Sequence, residues 1–159
     1  EVEVEIAFRL KHDLPVRAQS YSAGDFFEAV GSMHLALEIL DSRFLDRKQV
    51  AALTLLADSQ SNRFVVVGDG IEDFHKLDSS SLRPVLNMAG DVLTVGKDLP
   101  SSAAIADACA WLANHASDRG LGMMAGQVVI TGSRVGPVPI TANLSAHVER
   151  IGRVSLKIN

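Results

Sequence analysis

At 159 residues the chain has room for one domain with a substantial core, and 47% hydrophobic with 21% charged residues is a globular rather than a disordered composition. A net charge of -4, a pI near 5.7 and the lack of any Lys/Arg-rich run argue against nucleic acid and anionic membrane as partners. No apolar run approaches the roughly 20 residues of a membrane span, and the single cysteine, Cys109, cannot form an internal disulfide, which fits a reducing cytoplasm.

The chain opens with EVEVEIAFRL, a strand pattern that ends at the turn-prone KHDLP. Alternation places Glu1, Glu3 and Glu5 on one face and Val2, Val4 and Ile6 on the other. Two readings of the acids follow. One is a solvated edge strand whose charges discourage unwanted pairing, the simpler reading of the local pattern. The other is a metal site, since an i, i+2 pair delivers two carboxylates together to a hard cation. SAGDFFEAVGSMHLALEIL then predicts a helix capped by Ser22 or Asp25, with Phe26, Phe27, Val30 and Met33 inward and Gly31 at its end. HLALEIL follows as a strand, with Leu35, Leu37 and Ile39 on one face and His34, Ala36, Glu38 and Leu40 on the other.

DRKQVAALTLLADSQ reads as a loop or short helix, leading to RFVVVGDG, a β-branched strand closed by a glycine turn. LRPVLNMAGDVLTVGKDLP predicts two strands around MAGD, and SSAAIADACAWLANHASDRG a helix capped at Ser101 or Ser102. Within that helix Cys109 reads as a small buried residue and Trp111 as a core anchor. AGQVVITGSRVGPVPI reads as a strand running into a Gly/Pro loop, and VERIGRVSLKIN as a hairpin-like end. Strands dominate and no βαβ rhythm appears, so the expected class is α+β, one domain over residues 1–159 with a largely antiparallel sheet or roll.

Glu38 is an acid inside an apolar strand, costly to bury unless neutral, paired or bound to a cation. With Glu3 and Glu5 it makes a candidate three-carboxylate site, and an all-oxygen set favours Mg²⁺ or Mn²⁺ over zinc. The five histidines lack ligand-like spacing. Asp41 and Arg43 form a candidate ion pair, either supporting the site or merely on the surface. Asp58 and Thr131 stand at element ends where polar groups can face a ligand. TGSRVG lacks the P-loop pattern and reads as a plain turn, and Ser133 has no nucleophile-elbow context.

EVEIAFRL, LALEILDSRF, LLADSQSNRFVVVG, ACAWLANHASDRG and AGQVVITGSRVGPVPI, in that order, resemble the 2-keto-4-pentenoate hydratase and 4-oxalocrotonate decarboxylase family of the fumarylacetoacetate hydrolase superfamily. The resemblance implies a mixed β-roll or sandwich of the fumarylacetoacetase C-terminal type with flanking helices. It also implies a cytoplasmic lyase of aromatic catabolism, a hydratase or decarboxylase acting on small unsaturated 2-oxo acids such as 2-hydroxypenta-2,4-dienoate. In the family the metal chelates the 2-oxo acid and acts as a Lewis acid that stabilises an enolate. By the resemblance Glu3, Glu5 and Glu38 are the ligands of Mg²⁺ or Mn²⁺, and Ser61, Thr131 and Ser133 border the substrate. Homo-oligomers and a complex with a pathway enzyme are implied in the same way.

The chain departs from the family pattern at three places. Ser59 stands where ADNxS has asparagine, Arg134 and Val135 follow TGS in place of the usual threonine, and Ala103-Ala104-Ile105 replaces an LGHP-like segment. The proton-transfer lysine of the family is expected upstream of residue 1. Two other readings stay open: an acylpyruvate-type C–C hydrolase, and a non-catalytic member that binds a ligand or partner.

Overall fold

The structure, a computed structural model, describes residues 1–78, 81–96 and 100–158. In chain order its elements are β1 (Val2–Leu10), α1 (Ala23–Ala29), β2 (Val30–Leu40), α2 (Ala52–Ala57), β3 (Asn62–Ile71), β4 (Val85–Met88) and β5 (Asp91–Val95). They continue with α3 (Ser102–Asp118), β6 (Val128–Val138), β7 (Leu144–Val148) and β8 (Gly152–Leu156). Single 3₁₀ turns lie at Arg47–Gln49, Ser59–Ser61 and Phe74–Lys76. Residues 97–99 and 159, the ends of two expected strand segments, lie outside the described residues.

The strands form two four-stranded sheets, ordered β3-β2-β1-β6 and β5-β4-β7-β8, with every strand pairing antiparallel. The α+β expectation is met. β7 and β8 pack against β2 and β3, which brings the two sheets together. The β1–β2 register sets Val2 opposite Ile39, Val4 opposite Leu37 and Ile6 opposite Leu35, so the apolar sets of both strands face one core. α1 and α3 pack together on the same side of the molecule, where Phe8, Phe26 and Phe27 meet edge to face at 5.2 to 6.5 Å. The segment between β1 and α1 is tied to α3. Asn114 accepts from the Tyr21 N–H at 2.6 Å and donates to its carbonyl at 2.9 Å, and Ser117 bonds both backbone groups of Arg17.

Several sequence readings need correction. β1 is flanked by β2 and β6, so its acids do not lie on an outer edge. Ser22 and Asp25 are the two halves of one capping box, each accepting the other's N–H, at 3.1 and 2.7 Å. The helix they start stops at Ala29. Val30, Gly31 and Met33 belong to β2, because pairing with Leu10 and Phe8 captures them into the ladder. β3 runs on through its glycines to Ile71, and β6 runs through TGSRVG and the Gly/Pro stretch, so neither segment is a terminal turn. The last hairpin begins earlier than expected, at Leu144.

Cys109 is buried, and burial alone pushes its thiol up to about 11. Trp111, by contrast, is 64% exposed and stacks flat on His115, one turn along α3. The helix turns Ile105, Cys109 and Ala113 inward, a face that leaves position 111 outside. α2 buries no side chain and exposes Leu53 and Leu56. Among the described residues no helix is long and apolar enough to cross a membrane.

These placements separate two aromatic substitutions. Phe26→Ala is expected to cost about 3–5 kcal/mol in urea denaturation, whereas Trp111→Ala is expected to stay within about 0.5 kcal/mol. Comparable losses for both would return Trp111 to the core.

Candidate metal centre

In β1, Glu3 and Glu5 project from the face opposite Val2 and Val4, and Glu38 projects from the same side of β2 directly across from Glu3. One carboxylate oxygen from each of Glu3, Glu5 and Glu38 lies within 4.8 Å of the others. Among the described residues this is the one group of three or more such side chains close enough to hold a metal ion. Glu5 is the deepest, at 2% exposure. Acids facing one another across a ladder repel, so the arrangement demands a proton or a cation.

The ionisation of the group shows that demand. Burial pushes the Glu5 carboxyl up to about 8, helped by its hydrogen bond with Glu38 and opposed by the Gly132 amide. Glu3 is raised as well, by burial first and then by the charge of Glu38, with the Arg47 guanidinium acting in the opposite sense. Fixed donors hold the outer lone pairs. The Gly132 N–H donates to Glu5 Oε2 at 2.7 Å, and Asn62 Nδ2 donates to Glu38 Oε1 at 2.6 Å.

Two glycines of β6 make this geometry possible. Gly132, at φ +91°, turns its amide toward Glu5 within an irregular stretch of the β1–β6 pairing. Gly136, at φ +111°, lies where a Cβ would come within 2.5 Å of the Val2 carbonyl oxygen and 3.2 Å of Glu3 Cα. Behind them Arg134 is 5% exposed and donates to the Gly132 carbonyl at 2.7 Å and to Thr131 Oγ1 at 2.9 Å. Burial lowers its pKa, while the charge of Glu5 works to raise it. Its fork braces the backbone on either side of the amide that holds Glu5.

The three acids open into a cavity of about 450 Å³ whose walls include Arg47, Ser59, Gln60, Gly132, Ser133 and Pro137. Of the expected substrate neighbours, Ser133 lines it, though its hydroxyl is engaged with the Val135 carbonyl at 3.0 Å. Ser61 is not in the wall: it is 1% exposed, beyond Ser59 and Gln60 on a loop where all three residues have positive φ. Thr131 lines a separate cavity beside α3 and donates its hydroxyl to the Ile6 carbonyl at 2.9 Å. Asp58 is turned inward and pairs with Arg43 at 3.3 Å, while Asp41 pairs with Arg63 at 2.7 Å, so the expected Asp41–Arg43 pair is exchanged for two others. Arg47, Asn62 and the bracing role of Arg134 were not read from the sequence. Arg134 was visible as a departure after TGS, but nothing local marks Arg47 or Asn62.

No family model matches the chain. Individual proteins do. A 2-keto-4-pentenoate hydratase from Burkholderia vietnamiensis is 30% identical over 157 residues, 97% of this chain and 58% of the relative. A 4-oxalocrotonate decarboxylase from Pseudomonas sp. strain CF600 is 25% identical over 159 residues, 99% of this chain and 59% of the relative. In three dimensions a 4-oxalocrotonate decarboxylase from Pseudomonas putida G7, complexed with magnesium and adipate, superposes with a TM-score of 0.79 at 25% identity, over 97% of this chain and 58% of that one. The resemblance to the hydratase and decarboxylase family stands. The fold is that of the fumarylacetoacetate hydrolase superfamily. The chain spans less than two thirds of the length of these hydratase and decarboxylase relatives.

The raised Glu5 value sets a pH dependence. The folded carboxyl titrates near 8 against an ordinary value of 4.5, so folding retains a proton that unfolding releases. That contribution is complete below the ordinary value and is lost as pH rises through the folded one. The Tm of EDTA-treated protein is expected to fall from about pH 5 to about pH 8.5, and Glu5→Gln to flatten the slope. A Tm rising across this window in the wild type, measured by differential scanning fluorimetry, would contradict the assignment.

Proposed function

We propose that Glu3, Glu5 and Glu38 hold one Mg²⁺ or Mn²⁺ ion and that the chain carries the metal-binding part of a lyase, a hydratase or decarboxylase, acting on small unsaturated 2-oxo acids. The observation that carries this reading is the convergence of the three carboxylates within 4.8 Å. Their donor chemistry fits the ion, since hard divalent cations prefer several carboxylate oxygens and keep positions open for water or substrate. The names of the hydratase and decarboxylase relatives, and the magnesium of the superposed decarboxylase, support the same assignment.

When bound, the ion supplies Lewis acidity to the carbonyl of a 2-oxo acid. The chain's own residues prepare the place. Glu5, which burial holds protonated at neutral pH, would have to lose that proton to ligate a cation, so metal affinity is expected to rise with pH toward about 8. The Gly132 amide and the Asn62 side chain keep the Glu5 and Glu38 carboxylates oriented through the oxygens they bond. Ser133, on β6 directly across from Glu5 in the β1–β6 pairing, is the proposed neutral contact for the substrate.

Calorimetry with Mg²⁺ tests the ligand set. Glu38→Gln is expected to weaken binding by more than about 100-fold, and Asn62→Ala by about 10- to 100-fold, because the second change leaves all three ligands but frees one of them. Turnover of 2-hydroxypenta-2,4-dienoate by the complete protein is expected to disappear with Glu38→Gln. A variant that still turns over the substrate at the wild-type rate would refute the proposal.

A further inference from the structure

We propose that Ser32 and His34 form a nucleophile–base pair at a second site, apart from the acids, where short esters that carry a negative charge are hydrolysed.

Ser32 and His34 are alternate residues of β2 and project from the same face of the first sheet. His34 Nε2 and Ser32 Oγ are 2.7 Å apart, and His34 Nδ1 lies 3.1 Å from the Gly68 carbonyl oxygen of β3. A carbonyl oxygen can only accept, so Nδ1 is the nitrogen that carries the ring proton. In the neutral imidazole Nε2 is then the acceptor, and the Ser32 hydroxyl donates to it. A serine donating to a histidine whose far nitrogen is held by an acceptor is the arrangement that activates a hydroxyl. The ring is also seated. His34 pairs with Gly70 across the β2–β3 ladder, and a Cβ at Gly70 would overlap the imidazole. A glycine inside the strand allows that close approach.

Ser32 lines a cavity of about 520 Å³, room enough for a small ester. This cavity shares no described lining residue with the one that holds the acids. Ser32 stands six residues before Glu38 on β2, a separation of roughly 20 Å along a strand. The charged residues of the wall are Arg9, Lys11 and Glu72, so cations outnumber the acid, and His75 lies among them. Arg9 is the residue paired with Ser32 across the β1–β2 ladder. The two cations favour an anionic substrate and offset the charge that builds on a carbonyl oxygen under attack.

In the step assigned to the pair, Ser32 Oγ attacks the ester carbonyl carbon as its proton passes to His34 Nε2. The bond to the alcohol oxygen breaks, the alcohol leaves with that proton, and the acyl group stays on Ser32. Water then attacks the acyl-serine with His34 as base, which releases the acid and restores both side chains.

The test uses 4-acetoxybenzoate and methyl 4-acetoxybenzoate, acetyl esters that differ in one negative charge, incubated with the complete protein in EDTA. The wild type is expected to hydrolyse the charged ester with a kcat/KM at least about 10-fold higher. Peptide mass spectrometry of the quenched reaction is expected to find the acetyl group on Ser32. Ser32→Ala and His34→Gln are each expected to lower the rate at least about 100-fold while the far-UV circular dichroism spectrum stays unchanged. Arg9→Ala is expected to reduce the preference for the charged ester. Acetylation of Lys11 in place of Ser32, or a rate that Ser32→Ala leaves intact, would overturn the proposal. So would equal rates for the two esters in the wild type, or no hydrolysis in EDTA, which would leave the cavity without this chemistry whatever the acids bind.

Discussion

Mutual repulsion among three glutamates is the constraint around which the first sheet is arranged. Glu3 and Glu38 are set opposite each other by the β1–β2 register, and Glu5 is added from the same face, buried. Apolar residues of similar size would stabilise the sheet more, because burying like charges is unfavourable unless a proton or cation offsets it. The chain meets this cost with the proton that burial keeps on Glu5, hydrogen-bonded to Glu38, and with donors from Gly132 and Asn62. Held this close, the three carboxylates retain their repulsion unless a proton or a cation offsets it.

β6 does most of the supporting work. It is the one strand that reaches the acids from the far side, and it does so with irregular pairing and two left-handed glycines rather than with a regular ladder. Regular pairing would direct alternate β6 amides to β1 carbonyls and leave the others pointing away from β1 at the sheet edge. Within the irregular stretch the Gly132 N–H turns instead to the Glu5 carboxylate. Arg134 then holds this stretch from behind through neutral oxygens, with no carboxylate in its hydrogen bonds. Its positive charge therefore remains available to the acid group as a whole.

Elements dominated by alternation were legible from the residues themselves. β1 and β2 followed from strict period-two patterns, and the convergence of Glu3, Glu5 and Glu38 followed once Glu38 was seen to be an acid in an apolar strand. What failed was decided by partners distant in sequence. The end of α1 was misplaced because β1 pairs with Val30 and Ser32, and the continuation of β6 was missed because glycine and proline usually break strands. Trp111 was misassigned because an alanine-rich helix can turn several of its faces inward, and only its packing against α1 selects one. Arg47 sits in a polar stretch, DRKQ, that looks like any solvated loop, and only the fold brings it over the acids.

The direct pairing of Glu3 with Glu38 has a further bearing on how the chain avoids mispairing. Sliding β2 along β1 by a single residue would turn Leu35, Leu37 and Ile39 toward the acids and drive Glu38 into hydrocarbon among Val2 and Val4. Every alignment shifted by an odd number of residues is thus penalised twice, once for wasted oil and once for a stranded charge. The cluster that costs the sheet its ease of packing also serves as its alignment key.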